Sequence, residues 1–160
     1  MALFFAHFGV IVAIDTNVLV SLVNERATYI NLETFLHQNN ATLLIPTPVV
    51  AEFTAIDFSK RRNQFMSFQH KNVIISEFDQ LSAFVCGEIT SKLSKVHFED
   101  NRQRTKIDLQ IIAIALAKKA NLLISNDKHI HDYLLDLGEE ELKVCKLHEI
   151  KLNLRLFDFD

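Results

Sequence analysis

The sequence predicts an α/β protein with a central parallel sheet of four to five strands and helices on both faces. Three observations carry that expectation. Short runs rich in Val, Ile and Leu alternate with longer segments of helical periodicity, and strand–helix–strand order forces neighbouring strands to run parallel. Three glycines and two prolines are too few for the turns of an all-β chain of 160 residues. A hydrophobic share of 49% against 23% charged residues provides one ordinary core, so 1–160 reads as a single domain.

Each element has its own signal. Residues 9–15 read as the first strand, with a helix starting near Thr16-Asn17 and helical spacing again from Tyr29 to Gln38, ended by Asn39-Asn40. Residues 41–45 form the second strand, stopped by Pro46-Thr47-Pro48. Thr47 is placed to cap the next helix, with Pro48 at its first position. A helical stretch over 60–70 leads to a third strand at 72–75, a turn at 76–79 and a long helix over 80–95. The polar segment 97–104 reads as a loop before a helix over 105–120, with Thr105 as its cap. A fourth strand runs from Leu122 toward Asp127, a short helix ends at Gly138, and 142–147 alternates like an edge strand. Residues 1–8 are an apolar extension without a basic leader, too short before Asp15 to span a bilayer, and 152–160 carry no assignment. No membrane association is therefore expected. Cys86 and Cys145 have no metal-site or disulfide spacing, so a reducing cytoplasm is the expected setting.

The chemistry is carried by four carboxylates. Asp15 and Asp127 end strand-like runs, where open parallel sheets place their active crevice. Glu52 shares a helical face with Val49, Phe53 and Ile56, and Asp108 shares one with Ile111, Ile112 and Ala115. A carboxylate set into an apolar face is costly unless it is paired, protonated or bound to a metal. Four that converge suit Mg2+ or Mn2+, which prefer oxygen ligands and can hold a water for attack on phosphorus. Taken singly, each also has an ordinary role as a turn, first-turn or exposed helix residue.

Four segments that carry these residues, Val12–Leu19, Ile45–Glu52, Asp108–Ala115 and Leu123–Asp127, resemble in order the acidic motifs of PIN-domain ribonucleases. The nearest branch is similar to VapC-type toxins of toxin-antitoxin pairs, over residues 10 to 150. The resemblance implies a PIN-like three-layer fold, Mg2+ (or Mn2+) dependence, RNA hydrolysis, a homodimer and inhibition by a cognate antitoxin. It makes Asp15 and Asp108 the first candidates for metal ligands, with Glu52 and Asp127 completing the acidic cluster, all four as both metal-binding and catalytic residues. Thr16, Asn17 and Ser125 match polar motif positions and would orient the carboxylates, although helix capping explains them as well.

The net charge of −3 provides no global field for nucleic acid, so phosphate contacts must be local. Lys60, Arg61 and Arg62, together with Arg102, Arg104 and Lys106, bracket Glu52 and Asp108 in sequence. They are candidates to line an RNA groove from the crevice rim, or else simply solvated faces. His129 and His131 do not share a helical face, which disfavours a metal pair, though His129 lies close enough to Asp127 to touch substrate. The thirteen phenylalanines are expected to fill the core or a dimer face. Three other readings stand beside the toxin, the first a non-toxin PIN nuclease in RNA processing, which the same resemblance allows. A phosphatase with Asp15 as nucleophile is disfavoured by Asn17, where a second aspartate is needed. A binding module without catalysis would not need all four acids.

Overall fold

A computed structural model of the protein describes residues 9–68 and 70–150; the apolar extension and the tail lie outside the described residues. Five strands form one parallel sheet: β1 (Val10–Ile14), β2 (Ala41–Pro46), β3 (Val73–Ser76), β4 (Leu122–Ile124) and β5 (Lys143–Cys145), in the order β3-β2-β1-β4-β5. The chain thus travels outward from β1 to β3, returns to β4 on the other side of β1, and finishes at β5. Right-handed crossovers in opposite directions put helices on both faces. The reversal makes the β1/β4 boundary a topological switch point, and the crevice forms at its carboxyl edge.

The helices are α1 (Thr16–Asn24), α2 (Arg26–Gln38), α3 (Thr47–Ala55), α4 (Arg61–Ser67), α5 (Gln80–Lys92), α6 (Arg102–Ala117) and α7 (Lys128–Leu137). Short 3-10 turns occupy Lys95–Phe98 and Leu147–Glu149. The core centres on β1, β4 and α6. Val12–Ile14, Leu122–Ile124 and Ile111–Ala115 are all buried, so α6 is packed on nearly every side rather than along one stripe.

Several boundaries differ from the sequence expectation. Helix α6 begins at Arg102, three residues early, because Asn101 accepts the Arg104 N–H at 3.0 Å and caps it. Thr105 is no cap: its hydroxyl donates back to the carbonyls of Asn101 at 3.1 Å and His97 at 2.8 Å. The 97–104 loop is correspondingly part 3-10 turn and part helix. Pro46 stands at the cap of α3, which moves Pro48 to the second helical position. Strand β4 stops at Ile124, since Ser125 turns away and Asp127 is committed to capping α7 by accepting the His129 N–H at 2.9 Å. Asn72 and Lys119, at φ of 61° and 56°, end the segments before β3 and after α6 in left-handed turns.

The phenylalanines divide. Phe35 and Phe53 fill the core, but Phe58, Phe68, Phe78 and Phe84 are on the surface. Leu81 and Phe84 present an apolar patch on one face of α5. Cys145 is buried and Cys86 half-buried, both as free thiols.

Candidate active site

The crevice draws one acidic residue from each of four separate segments. It is lined by Asp15, Thr16, Asn17, Glu52, Arg104, Asp108, Ile111, Asp127 and Ile130. Asp15 follows β1 directly, and its Oδ1 accepts the Val18 N–H at 3.0 Å, so the residue that ends the strand also caps α1. Its Oδ2 accepts the Ser125 hydroxyl. Ser125 Oγ in turn accepts the Asp127 N–H at 3.1 Å, and so one buried hydroxyl ties the turn after β1 to the turn after β4. The Ser125 carbonyl is held by His131 Nε2 at 2.7 Å, which gives that histidine a positioning role on the turn.

Glu52 reaches the crevice from α3, where Thr16 Oγ1 donates to its Oε2 at 2.5 Å. Contrary to the sequence reading, Glu52 is exposed and does not sit in an apolar stripe. Val49 and Phe53 turn inward, while Ile56 stands 63% exposed past the end of the helix. Asp108 does meet that description. It is buried on α6, in the helix's second turn rather than its first, and its Oδ2 has no hydrogen-bond partner among the described residues.

The electrostatics separate the acids. Burial, then the neighbouring Asp127 charge, pushes the Asp108 carboxyl up to about 7, with Glu52 and Asp15 adding to the rise and Arg104 opposing it. Burial also raises Asp15, although the bonds from Ser125 and the Val18 N–H pull it back. Asp127 shows the reverse outcome. Burial works to raise it, but the bond from Arg104 and the His129 N–H hold it below the usual carboxylate range.

Of the basic candidates only Arg104 enters the crevice, where its Nη2 donates to Asp127 Oδ2. The expected rim position does not hold for this residue. Because α6 starts early, Arg104 and Asp108 lie one turn apart on the same face, a relation the 104/108 spacing would have disclosed had the helix start been placed correctly. Arg102 and Lys106 are exposed outside it. Arg62 is occupied elsewhere: it donates to the Phe53 carbonyl at 3.2 Å and lies 5.3 Å above that ring, while Lys60 and Arg61 are exposed around the turn before α4. His129 is exposed, its ring stacked at 6.2 Å on Tyr133.

A divalent cation held partly through water fits the donor chemistry. The unpaired, buried oxygen of Asp108 is the acceptor such an ion would satisfy, among carboxylates whose charges raise the proton affinity of Asp108. Among the described residues, however, no three His, Cys, Asp or Glu side chains stand close enough to ligate one ion together. Mg2+ retains several waters in protein sites, and so water-bridged contacts to these acids suit it better than a closed cage.

A family model described as PIN domain matches residues 12–133, and the chain belongs to the PIN domain family. Its fold is shared with solved structures. A VapBC2 chain from Rickettsia felis, from a complex bound to a promoter DNA fragment, superposes with a TM-score of 0.61 at 20% identity, covering 85% of this chain and 98% of that one. A VapBC-1 chain from nontypeable Haemophilus influenzae gives 0.59 at 16% identity, covering 86% and 98%. Tyrosyl-tRNA synthetase from Leishmania major gives 0.54 at 16% identity, covering 91% of this chain but 26% of that larger one. No curated protein matches the sequence.

Proposed function

We propose that this chain is a metal-dependent endoribonuclease that hydrolyses RNA phosphodiester bonds as the toxin of a toxin-antitoxin pair. The observation that carries the catalytic part is the meeting of Asp15, Glu52, Asp108 and Asp127 on one crevice, with the Asp108 oxygen unpaired. PIN membership and a fold shared with VapBC chains support the toxin part and a cognate antitoxin partner.

Asp15, Asp108 and Asp127 would hold Mg2+ or Mn2+, in part through water. Once bound, the ion would lower the pKa of a coordinated water and neutralise charge on the scissile phosphate. The chain's own groups supply position. Ser125 fixes Asp15 against the turn that carries Asp127, and Thr16 points Glu52 into the crevice. Glu52 is the exposed carboxylate there and is available to take a proton from the attacking water. Asn17 lines the opening with its side chain exposed, placed to contact substrate.

A homodimer belongs to the same reading, and Leu81 and Phe84 provide apolar surface of the kind such an interface covers. Among the described residues no helix is long and apolar enough to cross a membrane. Incubating purified protein with single-stranded RNA, with Mg2+ or Mn2+ and then with chelator, tests the catalytic claim. Cleavage should appear with metal and stop without it; turnover that survives chelation would defeat the reading.

A further inference from the structure

Among the described residues Arg104 is the one cation lining the carboxylate crevice, and it is committed to a single acceptor there. Asp127 divides its two oxygens: Oδ1 accepts the His129 N–H at 2.9 Å and fixes the start of α7, while Oδ2 accepts the guanidinium. A metal ion drawing on Asp127 without uncapping α7 must therefore take the oxygen that Arg104 holds. Asp15 Oδ2 is already engaged by Ser125 and one Glu52 oxygen by Thr16, while the open oxygen of Asp108 is a further acceptor beside that of Asp127. The guanidinium itself is the more accessible partner. Its side chain is 49% exposed, against 10% for Asp127, and it rises on a long stem from the first turn of α6, with Asp108 one turn further on. Half-exposed ion pairs of this kind are weak, about 1 kcal/mol or less, so a divalent ion can displace one. A displaced guanidinium beside a bound cation gains nothing from carboxylates already neutralised. It does, however, line a crevice that would receive a phosphodiester, and its planar fork matches phosphate oxygens.

We propose that Arg104 is an exchangeable counter-ion. It occupies Asp127 until a divalent cation takes that oxygen, and then turns to hold a non-bridging phosphate oxygen of the RNA. The proposal rests on the nuclease reading above and adds to it an order of events: metal first, Arg104 release second, phosphate capture third.

The exchange predicts effects of opposite sign in one variant. In calorimetric titrations, Arg104→Ala should bind Mn2+ about two- to fivefold more tightly than the natural chain, the range implied by loss of a competing pair of this strength. In saturating Mn2+, the same variant should bind a cleavage-resistant single-stranded RNA more weakly, with its log-log salt slope reduced by about 0.7 for one lost phosphate contact. Arg104→Lys keeps the charge without the fork and should fall between the two, which also carries the test if the alanine variant melts early. Arg102→Ala, outside the crevice, should leave the Mn2+ affinity unchanged and so separates contact from general charge. Unchanged or weaker Mn2+ binding by Arg104→Ala overturns the exchange while the metal reading stands. Tighter Mn2+ with an unaltered salt slope overturns it at the phosphate step. A natural chain that binds no Mn2+ removes this proposal and the metal reading together.

Discussion

Asp108 concentrates the tension in the site, because a buried acid one turn from Arg104 is still left with an unpaired oxygen. With its carboxyl pushed up to about 7, the folded chain keeps a proton there that the unfolded chain releases near pH 4. Stability without metal should therefore fall as pH rises from about 4 to 7 and level off above that. Asp108→Asn removes this dependence. The variant should melt higher at pH 8 by a margin on the order of 1 kcal/mol, reduced from the full shift by the site's contact with solvent, and match the natural chain near pH 4. Melting curves at the two pH values check this, and equal pH profiles would contradict it. The spacing of Asp108 with Ile111 and Ile112 disclosed its burial, because a helix face is legible from periodicity. The same argument misplaced Glu52, since α3 is only nine residues long and ends before Ile56 can close the stripe. The partners of these acids were partly legible. Thr16 and Ser125 stand out in the sequence as polar motif positions, whereas the bond from Arg104 to Asp127 spans 23 residues and depends on tertiary packing.

At the scale of elements, two of the four acids are positioned by helix starts, Asp15 capping α1 and Asp127 capping α7, while Glu52 and Asp108 stand in the second turns of α3 and α6. Cap geometry therefore serves both the fold and the site. Asn101→Ala should cost about 1 kcal/mol by removing the cap of α6, and because Arg104 lies in the turn it fixes, the Arg104–Asp127 contact should loosen as well. Chemical denaturation measures the first effect. Gly138 ends α7 at a φ of 62° with open space where a Cβ would stand, so Gly138→Ala should cost about 1 kcal/mol through backbone strain and leave RNA cleavage intact. Strands and helices were legible from apolar period and length, while the ends of α6 and β4 were not. There the deciding events were a capping asparagine upstream of the apparent cap and a serine turned back into the switch point.

On the scale of the whole molecule, the strand order accounts for why four distant segments meet. Reversal of direction between β3 and β4 opens a crevice beside β1, and the acids that follow β1 and β4 are delivered to it together. Alternation of strand and helix made the parallel sheet legible, and the ordered motifs made the family legible. The order β3-β2-β1-β4-β5 was not, because periodicity says which segments are strands and nothing about which are neighbours. If the toxin reading is correct, expression of the chain alone should slow bacterial growth, and Asp15→Asn should abolish that effect while the protein still accumulates. Equal toxicity of the variant would detach growth arrest from the crevice.

Single-turnover cleavage of single-stranded RNA in Mg2+ or Mn2+ decides whether these four acids form a metal-dependent site for RNA hydrolysis. Natural protein would be compared with Asp15→Asn and Asp108→Asn, each first shown to be folded by its melting curve. The natural chain should cleave until chelator is added, and either variant should lose at least about a hundredfold, on the scale of removing a principal electrostatic group from an active site. Undiminished cleavage by folded Asp108→Asn, or cleavage indifferent to chelator, would contradict such a site.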